Sequence, residues 1–113
     1  MTDSVRGFYT AAFETARKKA HGVVMLQDGQ IRGGDSTFVY VGSYIQDGVT
    51  VSGSVRGIRH ANAGHPDHVS IFGIDPVEVA FDGVAKDGYV SIEGGARETP
   101  SLSLRGLLTR IGD

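Results

Sequence analysis

Along most of this chain apolar and polar residues take turns, one position at a time. Val49, Val51, Gly53 and Val55 share one parity, and Thr50, Ser52 and Ser54 occupy the other. Val77, Val79 and Phe81 alternate with Glu78, Ala80 and Asp82, and Leu102, Leu104 and Leu108 share a parity through Gly106, opposite Ser103, Arg105 and Thr109. Period two marks a half-buried strand, because successive side chains leave opposite faces of the sheet. Further short segments at 8–13, 23–27, 30–33, 38–46, 70–73 and 89–93 read the same way. The total is roughly eight or nine strands with tight links, which predicts an antiparallel meander closed into a barrel or a strongly coiled sheet.

The punctuation agrees with that pattern. Asp-Gly pairs stand at 28–29, 47–48, 82–83 and 87–88. Asp-Gly favours two-residue hairpin turns because both central positions tolerate positive φ. Three of the pairs separate alternating runs and predict hairpin tips. Asp82-Gly83 falls inside a run, where a bulge or a close backbone approach is expected instead. One stretch competes for helix: 10–20 is alanine-rich, with Glu14 and Lys18 at the favourable i,i+4 spacing. A helix of that length is marginal alone. Gly7, Phe8, Tyr9 and Phe13 favour strand up to about Glu14, followed by a basic connection through Arg17, Lys18 and Lys19, with room for a single helical turn.

The segment 38–45 departs from simple alternation. Phe38, Tyr40 and Tyr44 occupy one parity while Val39, Val41 and Ile45 occupy the other. A strand apolar on both faces needs cover on both. A one-layer barrel covers only its inner face, so the outer one calls for a partner subunit or a terminal segment. A symmetric dimer is the expected cover.

Composition narrows the function classes. The 113 residues make one domain, 1–113, with a modest core. Glycine is abundant, with 17 residues against three prolines and no period-three repeat, which suits a sheet that turns tightly and coils strongly. Eleven Lys and Arg against 13 Asp and Glu give a formal net charge of −2. That balance argues against a nucleic-acid surface or a polybasic membrane contact. No apolar run approaches the roughly 18 residues of a membrane span. The start, Met1-Thr2-Asp3-Ser4, has no basic region leading into an apolar core, so a cytoplasmic location is expected. Cysteine is absent, which removes disulfides, thiolate metal sites and cysteine nucleophiles.

Candidate chemistry is sparse. His60, His65 and His68, with Asp67 between the last two, could supply a zinc or nickel site. Their spacing matches no helical pair, however, and Gly64 and Pro66 mark the segment as a loop, so no metal is expected there. No serine sits in a Gly-x-Ser-x-Gly elbow. Gly33-Gly34-Asp35 is followed by no Gly-Lys-Ser/Thr, which predicts a tight turn with Asp35 capping backbone amides rather than a phosphate loop. No enzyme and no cofactor are expected.

The order of features resembles the GrlR-type family, small negative regulators of bacterial type III secretion. The resemblance opens at Gly7-Phe8-Tyr9 and continues through Gly22. Its most specific part is Asp28-Gly29-x-Ile31-x-Gly33-Gly34-Asp35 followed by Tyr40-x-Gly42. A later stretch, Ser70-Ile71-Phe72-Gly73 and Val79-x-Phe81-x-Gly83, is similar more weakly. It implies a lipocalin-like (calycin-type) barrel that dimerises and binds protein, the namesake by sequestering a helix-turn-helix transcriptional activator through a hairpin loop of four alternating acidic residues. The corresponding candidate partner-binding loop here, Gln46-Asp47-Gly48, carries one acidic residue. Either another protein partner is served, or a cytoplasmic barrel of this kind takes a small apolar ligand. Side chains such as Phe81 and Leu104 would decide the second case by filling the lumen or leaving space in it.

Overall fold

The computed structural model describes residues 4–60, 77–96 and 99–113. Among them eight antiparallel strands follow one another around a closed barrel: β1 (Gly7–Glu14), β2 (Lys19–Gln27), β3 (Gln30–Gly34), β4 (Phe38–Asp47), β5 (Thr50–Arg59), β6 (Val77–Lys86), β7 (Tyr89–Ala96) and β8 (Ser103–Gly112). Each strand pairs with its sequence neighbour, and β8 returns to pair with β1 from Phe8↔Gly112 to Glu14↔Arg105. The expected strand at 70–73 lies outside the described residues, as do His65, Asp67 and His68.

Parity assigns the inside. Tyr9 and Ala11 of β1, Val24 and Leu26 of β2, Ile31 of β3, Phe38 of β4 and Val51 of β5 are all buried. Val79 and Phe81 of β6, Val90 and Ile92 of β7, and Leu104 and Leu108 of β8 complete the same inner layer. Val51, Val79, Phe81, Leu104 and Leu108 lie on the apolar parity read from 49–55, 77–82 and 102–109. The exception is Val49, which leaves the Val51 face because it sits in a turn, 54% exposed.

The 10–20 stretch is strand, not helix. β1 runs to Glu14 and β2 already begins at Lys19, with Thr15 N–H donating to Lys18 O (3.0 Å) across the tight connection. Helix preference among ordinary residues differs by at most about 0.7 kcal/mol each. Burying a ring such as Tyr9 is worth about 2–3 kcal/mol, and only the strand points Tyr9, Ala11 and Phe13 to one side.

Two of the three expected hairpin tips have the predicted form. Asp28 and Gly29 take φ of 52° and 78°, and Asp87 and Gly88 take 52° and 85°, the double left-handed step that matches strand twist. At the third, register moves the turn by one residue. Asp47 pairs with Thr50, so the central residues are Gly48 (φ 62°) and Val49, and Asp47 is the last residue of β4. Asp82-Gly83 forms no turn: both pairings of β6 run through it unbroken, and Gly83 is a close approach, where a Cβ would lie 2.8 Å from Ile92 Cγ2.

Glycine also permits closure. At the inward position Gly42 a Cβ would stand 2.1 Å from Ser54 O and 2.7 Å from Val55 Cα, both backbone atoms of β5. The strands are coiled so sharply here that no side chain fits between them. Gly42→Ala is therefore expected to destabilise the barrel by about 2–3 kcal/mol. Gly112→Ala, with nothing within 4 Å, should change the urea midpoint little. Equal midpoints for the two variants would contradict this account of the coiling.

Candidate functional site

The two ends of the barrel differ. The three Asp-Gly hairpins and the chain start share the lower end, and there the lumen is plugged. Tyr9, 1% exposed, donates its hydroxyl to Val5 O (2.6 Å). The Arg110 guanidinium lies 5.5 Å from the Tyr9 ring centroid and donates to Tyr9 Oη (3.2 Å) and Ser4 O (3.0 Å). Val5 N–H donates to Gln46 Oε1 (2.9 Å), which binds the N-terminal segment to β4. The plug is a cation over a ring, locked by hydrogen bonds to the backbone beneath it.

Above the plug the lumen is not filled. A cavity of about 310 Å³ runs upward between Val24, Leu26, Ile31, Val51, Phe81 and Leu108 to a polar rim. Phe81 and Leu104 line its wall and leave this space between them. The volume lies at the low end of the range for small-molecule sites, and the wall is almost wholly apolar, as such sites are.

Among the described residues, the rim is built by the connection between β1 and β2 and the turn between β3 and β4. Lys18, Lys19 and His21 line it on one side, and Asp35, Ser36 and Thr37 on the other. Asp35 does what the sequence predicts: Oδ1 accepts from Thr37 N–H (2.8 Å) and Phe38 N–H (2.7 Å), closing the turn. Its second oxygen accepts from the Tyr40 hydroxyl. His60 N–H donates to Thr37 O (2.8 Å), and the His60 ring Nε2 lies 2.9 Å from Asp35 O, so the end of β5 is tied to the same turn. Burial, reinforced by the neighbouring Asp35 carboxylate, pushes Tyr40 well above the usual phenol range. The Tyr40 ring meets Phe13 edge-on, with centroids 5.9 Å apart at 89°. It also lies over Gly22, where a Cβ would come within 3.2 Å of its hydroxyl.

The motif residues thus have structural work. Asp28 and Gly29 make a lower turn. Gly33 and Gly42 permit the coiling, a Cβ at Gly33 meeting Val23 O at 2.1 Å. Gly7 packs beside Arg110, Gly34 lies close to Phe38 O, and Asp35 and Tyr40 lock the upper rim. Of the β4 residues, Phe38, Tyr40 and Tyr44 point inward and Val39, Val41 and Ile45 point outward, Ile45 being 73% exposed. The loop Gln46-Asp47-Gly48 lies at the lower end, and Gln46 is committed on both sides of its amide, Nε2 donating to Gly48 O (2.9 Å).

The sequence reading missed the Arg110–Tyr9 plug; it marked the basic connection through Arg17, Lys18 and Lys19 but did not place it beside the cavity. The inward parity of β8 continues from Leu108 to Arg110, which was the available signal. Comparison of the chain with protein-family models and with curated proteins finds no match.

Two outcomes test the rim. Asp35→Ala should cost about 2 kcal/mol, because it strands two turn N–H groups and the Tyr40 hydroxyl. Folding keeps Tyr40 protonated, whereas in the unfolded chain it ionises near pH 10. The raised value therefore stabilises the fold below about pH 10, and that contribution is lost as pH climbs further. Chemical denaturation between pH 8 and 11 should show a steeper loss in wild type than in Tyr40→Phe, with the other three tyrosines common to both. Parallel profiles would refute it.

Proposed function

We propose that this protein is a non-enzymatic regulatory binding module of the GrlR type, with a lipocalin-like barrel, that acts in the cytoplasm as a homodimer and binds a protein partner such as a transcriptional activator. The observation that carries it is the apolar band outside the barrel. Val39 lies directly opposite Ile58 on β5, and Val23 flanks Val39 across Gly34. Val41 stands two residues along from Val39, and Met25 and Phe8 continue from Val23. Val23, Val39 and Ile58 are each about 40% exposed although the inner layer of the barrel is complete without them. Side chains of this kind gathered on one face mark an interaction surface. The exterior of the other strands is mixed: Asp82, Glu93, Arg105, Glu14 and Lys19 succeed one another in register, and Val84, Tyr89, Leu107 and Ile111 are exposed among them.

The loop Gln46-Asp47-Gly48 is not the partner site in this proposal. One carboxylate cannot steer a basic partner as a cluster does, and Gln46 already holds the N-terminal segment. The partner surface is the margin of the band, where Arg32 and Arg56 flank Val41.

A second reading rests on the cavity: the lumen binds a small apolar ligand. Eight strands leave an interior either just filled or able to hold one small ligand, and here about 310 Å³ is left.

Neighbouring residues of β4 separate the inside from the outside. Tyr40→Asp should unfold the barrel, since an unpaired buried charge costs several kcal/mol, comparable with the stability of a domain this size. Val41→Glu should fold, melt near wild type and sediment as a monomer, whereas wild type at tens of micromolar sediments as a dimer. A monomeric wild type defeats the dimer, and a dimeric Val41→Glu moves the contact elsewhere. Affinity capture from the native bacterium with wild type, lost with Val41→Glu, would identify the protein partner.

A further inference from the structure

Residues 4–6 precede β1 and, among the described residues, make no backbone–backbone hydrogen bond. Side chains hold this strap instead, one from each of three strands, and each grips a backbone group. Gln46 of β4 accepts from Val5 N–H (2.9 Å), Tyr9 of β1 donates to Val5 O (2.6 Å), and Arg110 of β8 donates to Ser4 O (3.0 Å). The Val5 side chain, 3% exposed, joins the core cluster that includes Leu26, Val51 and Leu108. Ser4 and Arg6 on either side of it are exposed, and the Ser4 hydroxyl accepts from Arg6 N–H (3.0 Å) within the strap itself. The barrel thus reads one branched aliphatic side chain and three backbone groups of a dipeptide.

We propose that the lower end is a binding site for a short peptide segment, filled here by the chain's own Ser4 and Val5, and that a segment of a protein partner takes the same place in trans. Main-chain hydrogen bonds supply affinity with little regard for sequence, and a side-chain pocket supplies the choice. Here the pocket takes a residue the size of valine, and the bond from guanidinium to carbonyl is of the stronger, charge-assisted kind. Release of the strap breaks no strand pairing, because the ladder between β1 and β2 begins at Gly7. The tether holds the strap at an effective concentration in the millimolar range, so a competitor needs contacts that the strap lacks. Ile45 and Ile111 offer them. They adjoin Gln46 and Arg110 in sequence and are 73% and 60% exposed. The partner segment therefore carries a valine-like anchor with further apolar residues beside it. Gln46 is open to it only once the strap has left, and the site is separate from both the outer band and the lumen.

The test pairs a fluorescein-labelled peptide of residues 1–7 with the full-length variant Val5→Asp, whose own strap is expelled because a carboxylate does not stay unpaired at a buried position. The peptide should bind folded Val5→Asp protein about tenfold or more tightly than wild type, where the strap competes. The same peptide carrying Val5→Asp should not bind. Adding Tyr9→Phe to the protein should weaken the wild-type peptide about fivefold, the effect of one hydrogen bond. Leucines added at both ends of the peptide should tighten it, a gain lost on Ile45→Ser/Ile111→Ser. Folded Val5→Asp protein that binds no peptide overturns the site, and equal binding of the Val5→Asp peptide overturns the pocket. Leucines that bring no gain overturn the apolar partner segment. A wild-type dimer lost in Val5→Asp but kept in Val41→Glu makes the occupant a second copy's strap and overturns the separate partner. Should Val5→Asp not fold, Val5→Cys decides, since the chain has no other cysteine. Its thiol should be labelled about 100-fold faster than that of Val51→Cys when the strap opens alone. Equal labelling rates would mean that the strap leaves only with the whole barrel, and would overturn the proposal.

Discussion

Everything in this molecule depends on bringing β1 and β8 together. Strands of five to ten residues must tilt and bend enough for the sheet to meet its own edge, and closure removes the two edges that would otherwise remain unpaired. Side chains resist that bend wherever neighbouring backbones crowd the inner face. Gly33, Gly42, Gly53 and Gly94 sit at such points, each with a neighbouring carbonyl oxygen 2.1–2.2 Å from where a Cβ would be. The glycine content is thus a mechanical requirement of the barrel. The accompanying valines and leucines repay it by filling the space between bends.

The same constraint produces the lumen. Glycines facing inward shorten the wall where the barrel coils, and large inward side chains stand at both ends, Tyr9 and Tyr44 below and Phe13, Phe38 and Tyr40 above. Tyr9, Arg110 and Val5 occupy the closed end. Toward the rim, Val55 and the glycine at 57 leave room that Phe13 and Tyr40 border but do not fill. Asp35 then serves as the keystone of the open end, joining the β3–β4 turn, the Tyr40 ring and, through the turn's carbonyls, His60 of β5.

Inside and outside carry separate chemistry because the strand period is two. A residue of β4 can be altered for a partner without touching its neighbour in the lumen, as Val41 and Tyr40 illustrate. The apolar band on the outside and the cavity on the inside can therefore coexist in one chain, and the cavity wall is also the back of the band. Occupation of the lumen beside Tyr40 and Val55 would act on the same strands, β4 and β5, that carry Val39 and Ile58 outward.

Much of the architecture was legible in the residues. Alternation in 49–55, 77–82 and 102–109 named the inward side chains, since a period of two leaves only the choice of face. Asp28-Gly29 and Asp87-Gly88 marked their turns because few other pairs tolerate positive φ twice. The Asp35 cap followed from a carboxylate placed just after two glycines. Other features belonged to the closed barrel alone. The 10–20 stretch had helical spacing locally, and only pairing with β2 and β8 gave Tyr9 and Phe13 a core to enter. Asp47 was displaced from its turn by the register with β5, which is a property of two strands together. For 38–45 both faces were apolar, so parity could not choose between them until closure put Tyr40 inside and Val41 outside. The Arg110–Tyr9 plug joins residues 101 positions apart, and the cavity is the difference between the volume that eight strands enclose and the volume of the side chains inside them. Neither quantity exists in a sequence until the chain has met itself.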